Sequence, residues 1–166
     1  MIEPLEPPAS HHLSAAEGWL ELGNAAEAAA ELRLIGPPCS DHPSVVELAW
    51  QIHARAGQWD SCLELAVRLV ALMPDRPVGW MLRSYTLHEL KRTAEARDLL
   101  LPAISRFPGE AILTYNAACY ECRLGNLPAA RKWLKRTFAL KKGPPFRLEA
   151  QTDMDLELLW PEIAEL

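Results

Sequence analysis

From Ala9 to Lys142, apolar residues recur three and four positions apart, the spacing that puts them on one face of an α-helix. Leu63, Ala66, Val67, Val70 and Ala71 make one such face. Charged residues interrupt every apolar run well short of the roughly 20 residues of a membrane span, so no span is predicted. Short breaks separate the helical patterns, and these breaks resemble one another. They are Leu22-Gly23-Asn24-Ala25-Ala26-Glu27-Ala28, Ala56-Gly57-Gln58-Trp59-Asp60-Ser61-Cys62, Leu90-Lys91-Arg92-Thr93-Ala94-Glu95-Ala96 and Leu124-Gly125-Asn126-Leu127-Pro128-Ala129-Ala130.

Gly23, Gly57, Lys91 and Gly125 stand 34 residues apart each time, which divides the chain into blocks 9–42, 43–76, 77–110 and 111–144. Each block is predicted to be two helices around a turn. Glycine supplies the left-handed residue that ends the first helix, and Asp60, Thr93 or Asn126 is expected to cap the second. The pairs Met73-Pro74 and Phe107-Pro108 mark the ends of second helices, because proline cannot continue a helix and pushes the preceding residue towards extended conformations. Residues 1–8 form an N-terminal tail. Residues 145–166 are predicted to cap the stack, since a terminal repeat leaves an apolar face uncovered. Leu148, Leu156, Leu159 and Trp160 are the expected covering residues. The cap is acidic, and Arg131 to Lys142 carries six bases and no acid, so the two segments either attract each other or form two solvated faces.

Composition narrows the class. Hydrophobic residues make up 49% and charged residues 23%, as in an ordinary folded domain and unlike a disordered or fibrous chain. With 17 Lys and Arg against 22 Asp and Glu, the formal charge is -5, which argues against a nucleic-acid partner held by phosphate neutralisation. The acidic, proline-rich start is unlike a signal peptide, and Cys39, Cys62, Cys119 and Cys122 are not spaced as a disulfide framework. A cytoplasmic protein with no membrane partner is expected.

The period, the small residues and the prolines together resemble the tetratricopeptide-repeat (TPR) family. The family's small position in the second helix is matched by Ala28, Cys62, Ala96 and Ala130, followed four residues later by Leu32, Ala66, Leu100 and Leu134. Ala16, Ser84 and Ala118 match the small position of the first helix, and Trp80 matches its tryptophan. The resemblance implies an all-α, right-handed α-solenoid of four 34-residue helix-turn-helix repeats plus C-terminal capping helices. It also implies a protein-interaction module, an adaptor or chaperone-like scaffold, that holds a peptide or helix of a partner protein in the concave groove lined by the first helices. The ligand-contacting positions of the family fall here on Glu17 and Glu21, then on Glu47, Gln51 and Arg55. In the third block they fall on Met81, Tyr85, His88 and Glu89, and in the fourth on Ile112, Tyr115, Cys119, Cys122 and Arg123. The implied groove is acidic in its first half and apolar and aromatic in its second. A partner with a basic flank and an apolar anchor near Tyr85 and Tyr115 would suit it. The Lys and Asn clamp with which some relatives grip chaperone tails is missing, since Leu13, Glu17, Leu48, Val78 and Leu82 stand there.

Two alternatives compete with this reading. Cys119-Tyr120-Glu121-Cys122 has the C-x-x-C form, and His88 on the preceding first helix supplies a third soft ligand for a metal or redox protein. The two thiols fall inside a helix and no second C-x-x-C completes a zinc site, so no metal and no cofactor are expected. An architectural module that self-associates into a homo-oligomer through an exposed aromatic groove is the other. No phosphate-binding glycine loop or nucleophile elbow occurs, so the chain does not read as an enzyme.

Overall fold

The protein, represented by a computed structural model, is described for residues 3–166; Met1 and Ile2 of the predicted tail lie outside the described residues. Among the described residues there are helices and turns and no strand. The chain forms two compact units, Met1–Asp75 and Arg76–Leu166.

The first unit contains α1 (Ala9–Glu21), α2 (Ala25–Arg33), a short 3₁₀ turn at Cys39–Asp41, α3 (Pro43–Arg55) and α4 (Trp59–Leu72). α1 packs on α2 and α3 on α4 as two hairpins, and α2 also packs on α3. Ala16 and Ala28 have no exposed surface, and with Leu20, Leu48 and Ile52 they form one core cluster. Small side chains let the helix backbones approach closely, and each fully buried leucine contributes about 1.5–3 kcal/mol. A second cluster joins Ala9, Ile35 and Val45 with Leu5 of the tail. Between α3 and α4, the buried Cys62 thiol donates to the Trp50 carbonyl at 3.6 Å. Two histidines of this unit make structural contacts. His12 pairs with Glu31 at 2.8 Å, and His42 caps α3 by accepting from the Ser44 amide at 3.2 Å.

The second unit contains α5 (Pro77–Glu89), α6 (Thr93–Arg106), α7 (Ala111–Arg123), α8 (Leu127–Ala139), α9 (Pro144–Glu149), a 3₁₀ segment at Met154–Leu159 and α10 (Trp160–Ile163). α5 with α6 and α7 with α8 are its hairpins. α7 lies at the centre: eleven of its 13 residues are buried, against α5, α6, α8 and the 3₁₀ segment. A helix apolar on one stripe faces water on the other, whereas α7 faces protein all round.

The C-terminal segment covers this unit with part of the predicted set: Leu156 and Leu159 are buried as expected, Trp160 is half-buried, and Leu148 is not part of the cover. Leu148 is 74% exposed, while Leu156, Leu159 and Ile163 are fully buried. α9 is short, and it turns Leu148 outwards while Phe146 stacks at 4.8 Å on Tyr115. The basic α8 meets the acidic cap at a fork in which Arg131 donates to both Glu162 oxygens at 2.6 and 2.7 Å. Lys132, Lys135 and Arg136 remain exposed.

Helix capping also departs from expectation. Asn24 caps α2 by accepting from the Glu27 amide at 3.2 Å. Asn126 stands at the N-cap of α8 but turns its amide to Glu121 at 3.0 Å, and Thr93 pairs with His88 at 3.0 Å. Asp60 sits within the first turn of α4 rather than before it, where its charge complements the helix dipole.

The four turns behave alike. Gly23, Gly57 and Gly125 have φ of 80°, 66° and 81°, and Lys91 at the third turn has φ of 63°. A side chain in this left-handed region costs about 1–2 kcal/mol, which glycine avoids. Lys91→Gly is therefore expected to exceed Lys91→Ala in stability by about 1 kcal/mol in urea denaturation, the charge being lost in both. Gly143 is a second constrained position, because a Cβ there would overlap the Thr137 carbonyl oxygen. Gly143→Ala is expected to lower the midpoint of denaturation by at least about 1 kcal/mol equivalent, by displacing the start of the cap.

Candidate protein-interaction faces

In the first unit the face made by α1 and α3 is open. Glu17, Glu21, Gln51 and Arg55 are exposed and line, with Leu20 and Leu48, a shallow depression of about 280 Å³. Glu47 is half-buried, and loss of hydration raises its carboxyl above the ordinary range. Arg55 is the cation of this face, in a stretch that is strongly acidic: residues 1–75 hold eleven acids, three arginines and no lysine. A second, larger hollow of about 670 Å³ lies between α2 and α3, lined mostly by Ala25, Ala29, Leu32, Val45, Ala49 and Ile52. Sequence reasoning missed it. Its signal was the run of alanines in α2, whose small side chains leave space that leucines would fill.

In the second unit the face made by α5 and α7 is filled by the chain itself. Tyr115, Cys119, Cys122 and His88 are buried, Tyr115 at 2% exposure. The Tyr115 hydroxyl donates to Asp153 at 2.7 Å, and the Cys119 thiol reaches the same carboxylate oxygen at 3.6 Å. His88 Nε2 lies 2.9 Å from Asp155, while its Nδ1 pairs with Thr93. Arg123, exposed, approaches the other Asp155 oxygen at 3.5 Å. Met81, Glu89 and Ile112 are half-buried. Tyr85 is 37% exposed, and its hydroxyl pKa is raised by burial and by Glu89. The structure thus gathers Tyr115, Cys119, Cys122, His88 and Arg123 around Asp153 and Asp155, two residues that sequence reasoning assigned only to an acidic cap. The signal for this was in α7, which carries no charged residue from Ala111 to Tyr120 and so has no side suited to water.

The electrostatics of the gathered groups follow from burial. Burial pushes the Cys119 thiol well above its ordinary range, with Asp153 and Asp155 adding to the effect, and it raises Cys122 as well. Reactive thiols need the opposite shift, since the thiolate is both nucleophile and metal ligand. All four cysteines are free, and among the described residues no group of three or more His, Cys, Asp and Glu is placed to hold a metal ion. The hydrogen bond with His88 holds the Asp155 carboxyl below its ordinary value, against the opposing effect of burial.

No protein-family model matches the sequence, and no curated protein matches it by sequence. Solved structures do. The chain superposes on TTC0263, a thermophilic TPR protein of Thermus thermophilus, with a TM-score of 0.72 and 19% identity over 95% of this chain and 100% of that one. It superposes on MamA with a TM-score of 0.70 and 15% identity, over 90% of this chain and 88% of that one. The chain has the tetratricopeptide-repeat fold. A further structure, MamA MSR-1 C2, agrees at a TM-score of 0.65 and 17% identity over 78% and 74% of the two chains. At these identities the likeness speaks for the architecture of the chain, and its site rests on its own residues.

The depressed pKa of Asp155 has a consequence for stability. A carboxyl whose folded pKa lies below its unfolded value stabilises the fold above that unfolded value and loses the contribution as pH falls through the folded one. The stability difference between wild type and Asp155→Asn is therefore expected to be full above pH 5 and to shrink as pH falls below the ordinary value of 3.8, measured by urea titrations at each pH.

Proposed function

We propose that this chain is a protein-interaction module, an adaptor or chaperone-like scaffold that holds a peptide or helix of a partner protein against the first helices of its hairpins. The observation that carries the reading is the state of the α1 and α3 face. Its polar side chains are exposed around a depression floored by Leu20 and Leu48, in a unit with a large excess of acids. An apolar floor within a charged rim is the anatomy of a protein-recognition surface, and the acids favour a partner segment carrying basic residues. The TPR fold of the solved neighbours supports a scaffold and a non-enzymatic role. Among the described residues no helix is long and apolar enough to cross a membrane. Burial of the thiols removes the main support for a redox or metal-binding role.

The test is capture of partners on immobilised wild type and on Glu17→Lys plus Glu21→Lys. Both substitutions lie on exposed positions and leave the core intact. A partner retained by wild type and weakened at least about tenfold by the charge reversal is expected. Identical retention by both proteins would contradict the assignment of this face.

A further inference from the structure

The segment that fills the α5 and α7 face has the character of a bound peptide. Its side-chain polar contacts with the two helices include two carboxylates two residues apart, Asp153 on Tyr115 and Cys119, and Asp155 on His88 and Arg123, and the Leu158 backbone also hydrogen-bonds Cys122. Its buried apolar side chains are Leu156 and Leu159, both without exposed surface. Between these anchors Met154, Glu157 and Leu158 are exposed, and the segment has only 3₁₀ structure, so its own backbone contributes little to its order. The exposed residues Gln151 and Thr152 join it to α9. The seam between it and α7 is open along one side as a cleft of about 160 Å³, bordered by Cys122, Arg123, Met154 and Leu158. On the helix side, Tyr115 and Arg123 present a hydroxyl donor and a cation, and His88 a ring nitrogen, all directed at carboxylates. Such contacts are directional and charge-assisted, and they select for carboxylates at that spacing.

We propose that the α5 and α7 face is a recognition site for acidic protein segments of the pattern Asp-x-Asp-Leu-x-x-Leu, occupied at rest by the chain's own Asp153–Leu159 and opened when a partner's segment of that pattern replaces it. The inference rests on the reading of the first-helix faces as binding surfaces and adds a ligand class and a means of control for one of them. A resident segment competes by mass action, so it lowers apparent affinity by the fraction of time for which it covers the site.

The experiment uses the full chain and a fluorescent synthetic peptide with the sequence of residues 150–163. Asp153→Asn plus Asp155→Asn in the protein removes the two carboxylates of the resident segment and changes no residue of α5 or α7. The double variant is expected to bind the peptide at least about tenfold more tightly than wild type, a difference that the added Tyr115→Phe removes. A peptide carrying the same two asparagines is expected not to bind. Equal affinity of wild type and variant, or equal binding of both peptides, would overturn the proposal. Amide hydrogen exchange of the wild type guards against a variant that does not fold. The amides of residues 154–159 are expected to exchange at least about tenfold faster than those of α7, through an opening insensitive to denaturant. Exchange of both only through global unfolding would show a fixed core element and would also overturn it. The Glu17 and Glu21 charge reversal leaves this measurement untouched, so failure here and failure of the first unit's face are told apart.

Discussion

α7 has no face suited to water, and its polar side chains must still be satisfied. Leaving a buried donor or acceptor unpaired costs about 1–3 kcal/mol, so each such group on α7 constrains what lies beside it. Thr114 meets Thr137 of α8 at 2.8 Å, Glu121 accepts from Asn126, and the Tyr120 hydroxyl lies 3.4 Å from Ser84 of α5. Tyr115 and Cys119 turn instead to Asp153 of the C-terminal segment. The position of that segment, and with it the closure of the second unit, follows from those two side chains and from His88 beside them.

The two units therefore use the same hairpin to different ends. In the first, the α1 and α3 face is polar and charged, and water satisfies it. In the second, the α5 and α7 face is aromatic and thiol-bearing, and exposing it would leave an apolar patch of the kind that soluble proteins keep small. The chain covers it with its own residues. The carboxylates that do so carry charge into a half-buried site, a choice that costs hydration and gains direction. Leucines alone would cover the patch but would not distinguish one covering segment from another.

Much of the fold was legible in the sequence because its signals are local and repeated. The 34-residue spacing of Gly23, Gly57, Lys91 and Gly125 marks a backbone requirement, and Lys91 meets it without being glycine. Met73 and Phe107, each preceding a proline, do follow the ends of α4 and α6, though Pro102 stands inside α6 without ending it. The candidate site was legible on one face and not on the other. Position within a repeat tells which side chains share a face, and that sufficed for Glu17, Glu21, Gln51 and Arg55. It says nothing of what a non-repeating segment does, so the meeting of Tyr115 with Asp153, 38 residues later, had no periodic signal. Leu148 was misplaced for the same reason, since α9 is too short for its apolar residues to declare a face.

The coupling between Tyr115 and the C-terminal segment fixes the closure of the second unit, and a double-mutant cycle measures it directly. Tyr115→Phe and Asp153→Asn, separately and together, would be compared with wild type by urea denaturation. Hydrogen bonds to charged groups contribute about 1.5–3 kcal/mol, so a coupling energy of at least about 1 kcal/mol is predicted. Effects that add to within about 0.5 kcal/mol would mean that the two residues act independently, and would contradict the account.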